Sequence, residues 1–543
     1  CDVMQVADCF EAFRQSCMDE QNLDPLHYIG VPAYAWDGML RQTGVVLDQL
    51  TDVSMYNKFE SAIRGGVSST GSLRYAKANN REMESYDESK PTSYIIDLDA
   101  NNLYGHAMTQ PLPSGDFRWM DDGEVKEVQA ALMSDDLSCL NLDGSQRGMT
   151  LEVDLHYPKR LHDSHNDYPL CPEMLTPQQD WLSPLQLELQ RKFGIGEPQQ
   201  KKLMGHFYDR KSITIHWYAL RLYLQLGMRL TKVHSIITYR QSEWLKSWVQ
   251  GNAEQRAQST TEVRRKLYKD MNTNLYGKTL QSCRDLQNIK LKTSWKRCKR
   301  LVAKPTFKSA TIFDENLVAV HMHPQEVTLN KPIYVGATIL DYAKAHMYQF
   351  WYLAFKQVMP QAQLVMTDTD SLLIYVEEEA FYDKMRVLLN WLDLSAYADS
   401  HPIFTDETAL QLKGANRMAL GMMKDANPSS PITEVVALCS KTYSFVTESE
   451  ENERRAKGVV RASLNRQISH LNYRNCLLDD AQTSVESSRI QHFKHRVYTV
   501  RGLKLALSCY DDKRYICDDR VRTLTFGHQR CMMSDVHELV DYL

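Results

Sequence analysis

Asp368 and Asp370 stand two residues apart inside Leu364-Val365-Met366-Thr367-Asp368-Thr369-Asp370-Ser371-Leu372-Leu373-Ile374-Tyr375-Val376. On a strand that spacing aims both carboxylates at one face. Held together without a cation they repel each other, and a divalent metal removes that penalty. Asp also suits turns that carry no chemistry, so a plain acidic turn is the competing reading. Asp97 and Asp99 repeat the spacing at the end of Ser93-Tyr94-Ile95-Ile96-Asp97-Leu98-Asp99. There a strand delivers a carboxylate at its tip, or Asp caps the next helix. Arg265, Lys269, Thr273 and Tyr276 follow i, i+4, i+8, i+11, one stripe on one helical face. Cations giving way to a hydroxyl and an aromatic ring fit a triphosphate with a base above it. An exposed basic face is the alternative, since Arg264 and Lys266 are also charged.

The elements that must position these groups are readable around them. Two apolar, β-prone runs flank the acidic turn, so 364–376 reads as a hairpin. After Asp99, Ala100-Asn101-Asn102-Leu103-Tyr104-Gly105 turns into an Asn-capped helix that ends before Pro111 and Pro113. Ile213 to Leu226 and Gln241 to Leu280 read as helices, with Gly277 ending the second or allowing a close approach. Pro332 to Phe355 reads as strand then helix, and Met149 to Leu155 as a strand. Lys441-Thr442-Tyr443-Ser444-Phe445-Val446 reads as a strand with Lys441 and Tyr443 on one face. Val3, Val6, Phe10 and Phe13 recur at helical spacing. In Ile63-Arg64-Gly65-Gly66 the glycine pair makes a turn, or lets backbone approach a phosphate chain closely. His162, His165 and Cys171 lack paired zinc spacing and read as polar loop residues.

A chain of 543 residues is too long for one ordinary core, so three or more subdomains are expected. Hydrophobic content of 43% and charged content of 24% are those of a globular protein. With 23 Gly and 18 Pro, long disordered linkers are not expected. A net charge of −4 does not advertise nucleic-acid binding, but charge is uneven. Residues 281–308 hold nine Lys or Arg and one acid, a net of +8. Such a run is a solvated face or a nucleic-acid contact. Arg454, Arg455, Lys457, Arg461 and Arg466 make a second basic surface. The twelve cysteines contain no Cys-x-x-Cys pair, which points to free thiols in a reducing, intracellular compartment. No apolar run approaches 18 residues, so no membrane partner is expected. The chain starts at Cys1 and is expected to be a fragment or a processed product.

Four stretches stand in fixed order and together resemble the family B DNA polymerases. Asp99-Ala100-Asn101-Asn102-Leu103-Tyr104-Gly105 resembles motif A, and Lys269 through Thr273-Asn274-Leu275-Tyr276-Gly277 resembles motif B. Thr367-Asp368-Thr369-Asp370-Ser371 resembles motif C, and Lys441-Thr442-Tyr443 is similar to the primer-contacting Lys-x-Tyr. The likeness points to the protein-primed branch, which serves Maverick/Polinton-type transposons, viruses and linear plasmids. Ile63-Arg64-Gly65-Gly66 sits where that branch carries Tyr-x-Gly-Gly, and Asp2 resembles the last acid of a 3′–5′ exonuclease. Ile63 stands for the linker Tyr, Gly105 for the usual Pro, Thr273 for the usual Asn and Met366 for an aromatic residue. None of these departures removes a metal ligand.

The resemblance implies an α+β right-hand polymerase: a palm of antiparallel sheet plus helices, with helical fingers and a thumb. It implies an exonuclease remnant at 1–20, a linker at 21–90, and palm with motif A at 91–116. An insertion would span 117–204, fingers 205–280, a second, basic insertion 281–330, palm with motif C 331–430, and the Lys-x-Tyr segment and thumb 431–543. The implied reaction is template-directed addition of dNMP to a primer 3′-OH or a protein-primer hydroxyl. Asp99 and Asp370 would bind two Mg²⁺, with Mn²⁺ as substitute, and Asp368 would assist. Tyr104, Arg265, Lys269, Thr273, Tyr276 and Gly277 would contact the dNTP. Arg64, Gly65, Gly66, Lys441 and Tyr443 would contact primer-template DNA. A terminal protein is the implied priming partner, and the nucleus or a viral or plasmid replication site the implied location. A two-metal nuclease and an inactive DNA-binding relic are the alternatives.

Overall fold

The computed structural model describes residues 2–532 apart from 406, 450 and 494, with backbone alone at 407–409 and 532. It has the expected α+β character, mixing helices with antiparallel sheets. The centre is a five-stranded antiparallel sheet in the order Ser68–Thr70, Gln363–Asp368, Ser371–Glu377, Ser93–Ala100, Met423–Asp425. The expected hairpin is present, and its second strand pairs with the 93–100 strand so that Ser371 faces Asp99. Leu98, Leu372, Ile374 and Val376 bury one side of this sheet against the main core.

The main core it shares holds the helix Ile333–Tyr348, continued by one wide π-helical stretch, Gln349–Phe355. Every residue of 333–348 is buried. Our reading of a strand at its start is corrected: Ile333, Val335, Thr338 and Ile339 favour strands locally, but a segment packed on all sides satisfies its own backbone as a helix. Ile213 to His216 is likewise corrected from helix to the end of the strand Arg210–His216, with the helix confined to Trp217–Gln225. That strand lies in a four-stranded sheet beside Arg147–His156, the widened form of the expected 149–155 strand. The single helix read over 241–280 is two, Lys246–Gln258 and Glu262–Thr279. The break falls where the Thr261 side chain accepts the Arg264 N–H and caps the second.

Residues 2–21 form one helix, and Val3, Val6 and Phe10 on it are exposed. The basic run folds into a small lobe of three strands, Asn288–Lys292, Phe307–Asp314 and Leu317–Met322, with the helix Trp295–Val302. Cys298, Leu301, Val318, Val320 and Met322 give the lobe its own core. His162 and His165 are buried rather than loop-exposed, a correction: His162 stacks on Phe207 at 4.3 Å, and His165 Nδ1 lies 2.8 Å from the Tyr157 hydroxyl. No helix among the described residues is long and apolar enough to cross a membrane.

Candidate active site

The sheet register brings the two separated acidic stretches together. The Ala100 N–H donates to the Asp370 carbonyl at 2.7 Å, so the tip of the 93–100 strand lies against the 368–371 turn. Asp97, Asp99, Asp368 and Asp370 line one cleft of about 390 Å³ with Asn427, Tyr443, Glu453 and Arg455. The turn is strained: Thr369 has φ +69°, which a β-branched residue rarely adopts. It is held by the Thr369 N–H donating to Val67 O at 2.7 Å.

Crowding of the acids is visible in their proton affinities. Burial pushes the Asp99 carboxyl up to about 6, Asp370 adds to the rise, and Lys269 and Lys424 oppose it. Burial also raises Asp370, and Asp368 adds to that, whereas its own backbone, Lys441 and Lys269 pull it down. Asp97 reaches about 7 through burial and the charges of Asp425, Asp99 and Glu453. Repulsion of this kind is what a divalent cation relieves. The carboxylates in the cleft are hard oxygen donors with no imidazole or thiol among them, which fits Mg²⁺ rather than zinc. Among the described residues no group of three or more His, Cys, Asp or Glu is already drawn around one point.

Asn102 caps the helix Leu103–Met108, its side chain accepting the Gly105 N–H at 3.2 Å. A proline at 105 could not make that bond, so Gly105 has a local reason. The cap sends Tyr104 across to Tyr276 on the 262–279 helix, and the rings stack at 4.3 Å and 11°. Lys269 is exposed on the same helix and close enough to act on both Asp99 and Asp370. Arg265 is exposed and donates through Nε to Ser259 O at 3.0 Å. Thr273 donates back to Lys269 O at 3.0 Å. Gly277 neither ends the helix, which runs to Thr279, nor packs closely, since a Cβ there would meet open space.

Arg64 does not face solvent, a correction to its expected DNA contact. It is buried, with Nη2 3.5 Å from Asp341 Oδ1 on the 333–348 helix. The glycines beside it serve the turn: Gly65 has φ +72°, and a Cβ on Gly66 would lie 2.5 Å from Thr369 Cγ2. Lys441 precedes the strand Thr442–Thr447 rather than lying in it, and its Nζ is 2.9 Å from Asp368 Oδ1. Tyr443 lines the acidic cleft and also a groove of Lys441, Arg454, Arg455, Lys457 and Arg461.

Glu453, which lines the cleft, and Asp425, whose charge helps raise Asp97, were missed by sequence reasoning, because they come from strands whose pairing leaves no local signal. Asp97 carried one, its two-residue spacing from Asp99.

No family model matches the chain, and no curated protein matches it. Solved structures do. Phi29 DNA polymerase complexed with primer-template DNA, a post-translocation binary complex, superposes with a TM-score of 0.50 at 12% identity, covering 91% of this chain and 70% of that one. The ternary complex of Phi29 DNA polymerase with primer-template DNA and incoming nucleotide gives 0.50 at 14%, covering 90% and 69%. Over nine-tenths of its length, the chain has the fold of Phi29 DNA polymerase.

Proposed function

We propose that this protein is a template-directed DNA polymerase that adds dNMP to a primer hydroxyl. The observation that carries the reading is the meeting of Asp99 and Asp370 at one end of the central sheet, with Lys269 facing both. The central sheet is then the palm, the 246–279 helices the fingers, and the segment after 431 the thumb. Two Mg²⁺ ions held by Asp99 and Asp370, with Asp368 assisting, would lower the pKa of the attacking hydroxyl and neutralise the departing pyrophosphate. Lys269 and Arg265 offer cations to the triphosphate. Tyr104 fills the space beneath the sugar where a 2′-OH would go, and Tyr276 supplies a stacking face for the base. Lys441 and Tyr443 hold the primer strand. The family B assignment and protein priming with a terminal protein belong to the same proposal, supported by the motif order and the Gly65-Gly66 linker.

Primed template, Mg²⁺ and one labelled dNTP test it. The expected result is extension by one nucleotide with release of pyrophosphate, lost in Asp370→Asn while DNA binding persists. Cleavage of the DNA without dNTP would favour the nuclease, and binding without either reaction the relic.

A further inference from the structure

Lys441 stands where the acidic cleft and the basic groove meet, since Asp368 and Tyr443 line both. Its ammonium lies 2.9 Å from Asp368 Oδ1. That oxygen is shielded from solvent and, the ammonium aside, has no hydrogen-bonding partner among the described residues. A shielded carboxylate oxygen needs a compensating charge, and the ammonium supplies it. The backbone beneath the lysine is fixed. Its φ is +61°, and the preceding Ser440 Oγ lies 2.8 Å from Ser68 Oγ on the strand beside Asp368. The Lys441 side chain is 54% exposed, so rotation about its own bonds is enough to move it from the acid into the groove. Arg455 and Arg461 in that groove are both engaged by Glu453, at 2.5 and 2.7 Å.

We infer that Lys441 is an interlock between cation binding and primer binding, an inference that rests on the polymerase reading. With no cation in the cleft, Lys441 neutralises Asp368. A divalent cation beside Asp368 takes over that role and repels the ammonium, which turns into the groove and holds a phosphate of the primer strand. One ammonium cannot do both, so the two ligands are coupled through it. Linkage makes the coupling reciprocal: the ion tightens the primer and the primer tightens the ion by the same factor.

The test is the affinity of the full chain for a dideoxy-terminated primer-template, read by fluorescence anisotropy without dNTP at fixed ionic strength. For the wild type, replacing EDTA by Mg²⁺ is expected to lower Kd about tenfold. Asp368→Asn removes the competitor for Lys441, so it binds DNA tightly already in EDTA and its Mg²⁺ effect falls below about threefold. Lys441→Met binds weakly with or without Mg²⁺, and Lys441→Gln repeats the measurement should the Met variant fail to fold. An Mg²⁺ effect of wild-type size in both Lys441 variants overturns the interlock. So does an Asp368→Asn protein that binds no more tightly in EDTA than the wild type. Primer extension by the wild type, run in parallel, separates the two readings. No incorporated nucleotide rejects the polymerase, whereas incorporation together with either overturning affinity rejects the interlock alone.

Discussion

Tyr104 and Tyr276 stack face to face at 4.3 Å, joining the helix after the 93–100 strand to the helix that carries Lys269. Burial raises the phenol of each, so both stay neutral across the working pH range. In the polymerase reading proposed above, the pair would stand where the sugar and base of the incoming nucleotide are held. Tyr104→Ala is expected to lower the preference for dNTP over NTP by on the order of tenfold or more, the scale of a lost packing contact. Single-nucleotide incorporation of matched dNTP and NTP measures it, and an unchanged ratio removes the gating role.

The crowded acids make stability depend on pH. Asp97 titrates at about 7 in the folded protein against an ordinary 3.8. Between those values the native state holds the proton and the unfolded chain has lost it. Stability therefore falls as pH rises through that window and levels off above it. Asp97→Asn keeps the neutral shape, so in EDTA it should exceed the wild type by on the order of 1–3 kcal/mol at about pH 7.5 and match it near pH 4. Urea unfolding at both pH values is the check; an equal difference at the two would discard the assignment.

Gly66 gives a steric prediction. A methyl group there would press on Thr369 Cγ2 and Oγ1, at 2.5 and 2.6 Å, and the Thr369 backbone is already in an unfavourable region. Gly66→Ala should cost about 1–3 kcal/mol and lower incorporation, because the turn that aims Asp368 and Asp370 must shift. Thr369→Gly removes the clashing atoms and suits the positive φ. Combining the two should recover most of the loss in a double-mutant cycle. Simple additivity would show that the clash lies elsewhere.

Arg64 separates folding from DNA contact. Asp341 Oδ1 lies 3.5 Å from Arg64 Nη2 and 3.7 Å from Lys344 Nζ, and its Oδ2 accepts the His216 N–H at 3.0 Å. Burial pulls Lys344 down to about 8, with Asp341 resisting. Arg64→Met should therefore cost about 3 kcal/mol by stranding part of that buried charge. It should leave the salt dependence of DNA binding unchanged, whereas Lys457→Ala should make the slope of log K against log salt shallower by about one. A shallower slope in Arg64→Met would restore its expected phosphate contact.

What could be read from the sequence was what local chemistry decides. The 363–377 hairpin followed from two β-prone runs around a short acidic turn, and the 103–108 helix from an Asn placed to cap it. The strand-like run 149–155 was legible too, and the strand observed there is Arg147–His156. What could not be read depends on distant partners. Ile333, Val335 and Thr338 form a helix because the whole segment is enclosed, a fact written in other parts of the chain. Arg64 reads as a free cation until Asp341, 277 residues away, is seen beside it. Glu453 joins the cleft only through strand pairing. Gly65 and Gly66 were legible as a demand for small residues, but not its source here: the left-handed backbone at Gly65 and the approach of Thr369 at Gly66.

The pairing of Ser371 with Asp99 also limits how this chain can diverge. Alternate residues of the 93–100 and 371–377 strands look to opposite sides, so losing or gaining one residue ahead of Asp99 in the first would turn Asp99 into the hydrocarbon interior and expose Leu98 in its place, and the same change in the second would turn out Leu372, Ile374 or Val376. The 288–322 lobe, with a core of its own, is free of that constraint. Descendants of this protein can lengthen, shorten or exchange the lobe, while the two central strands can change their letters but not their count.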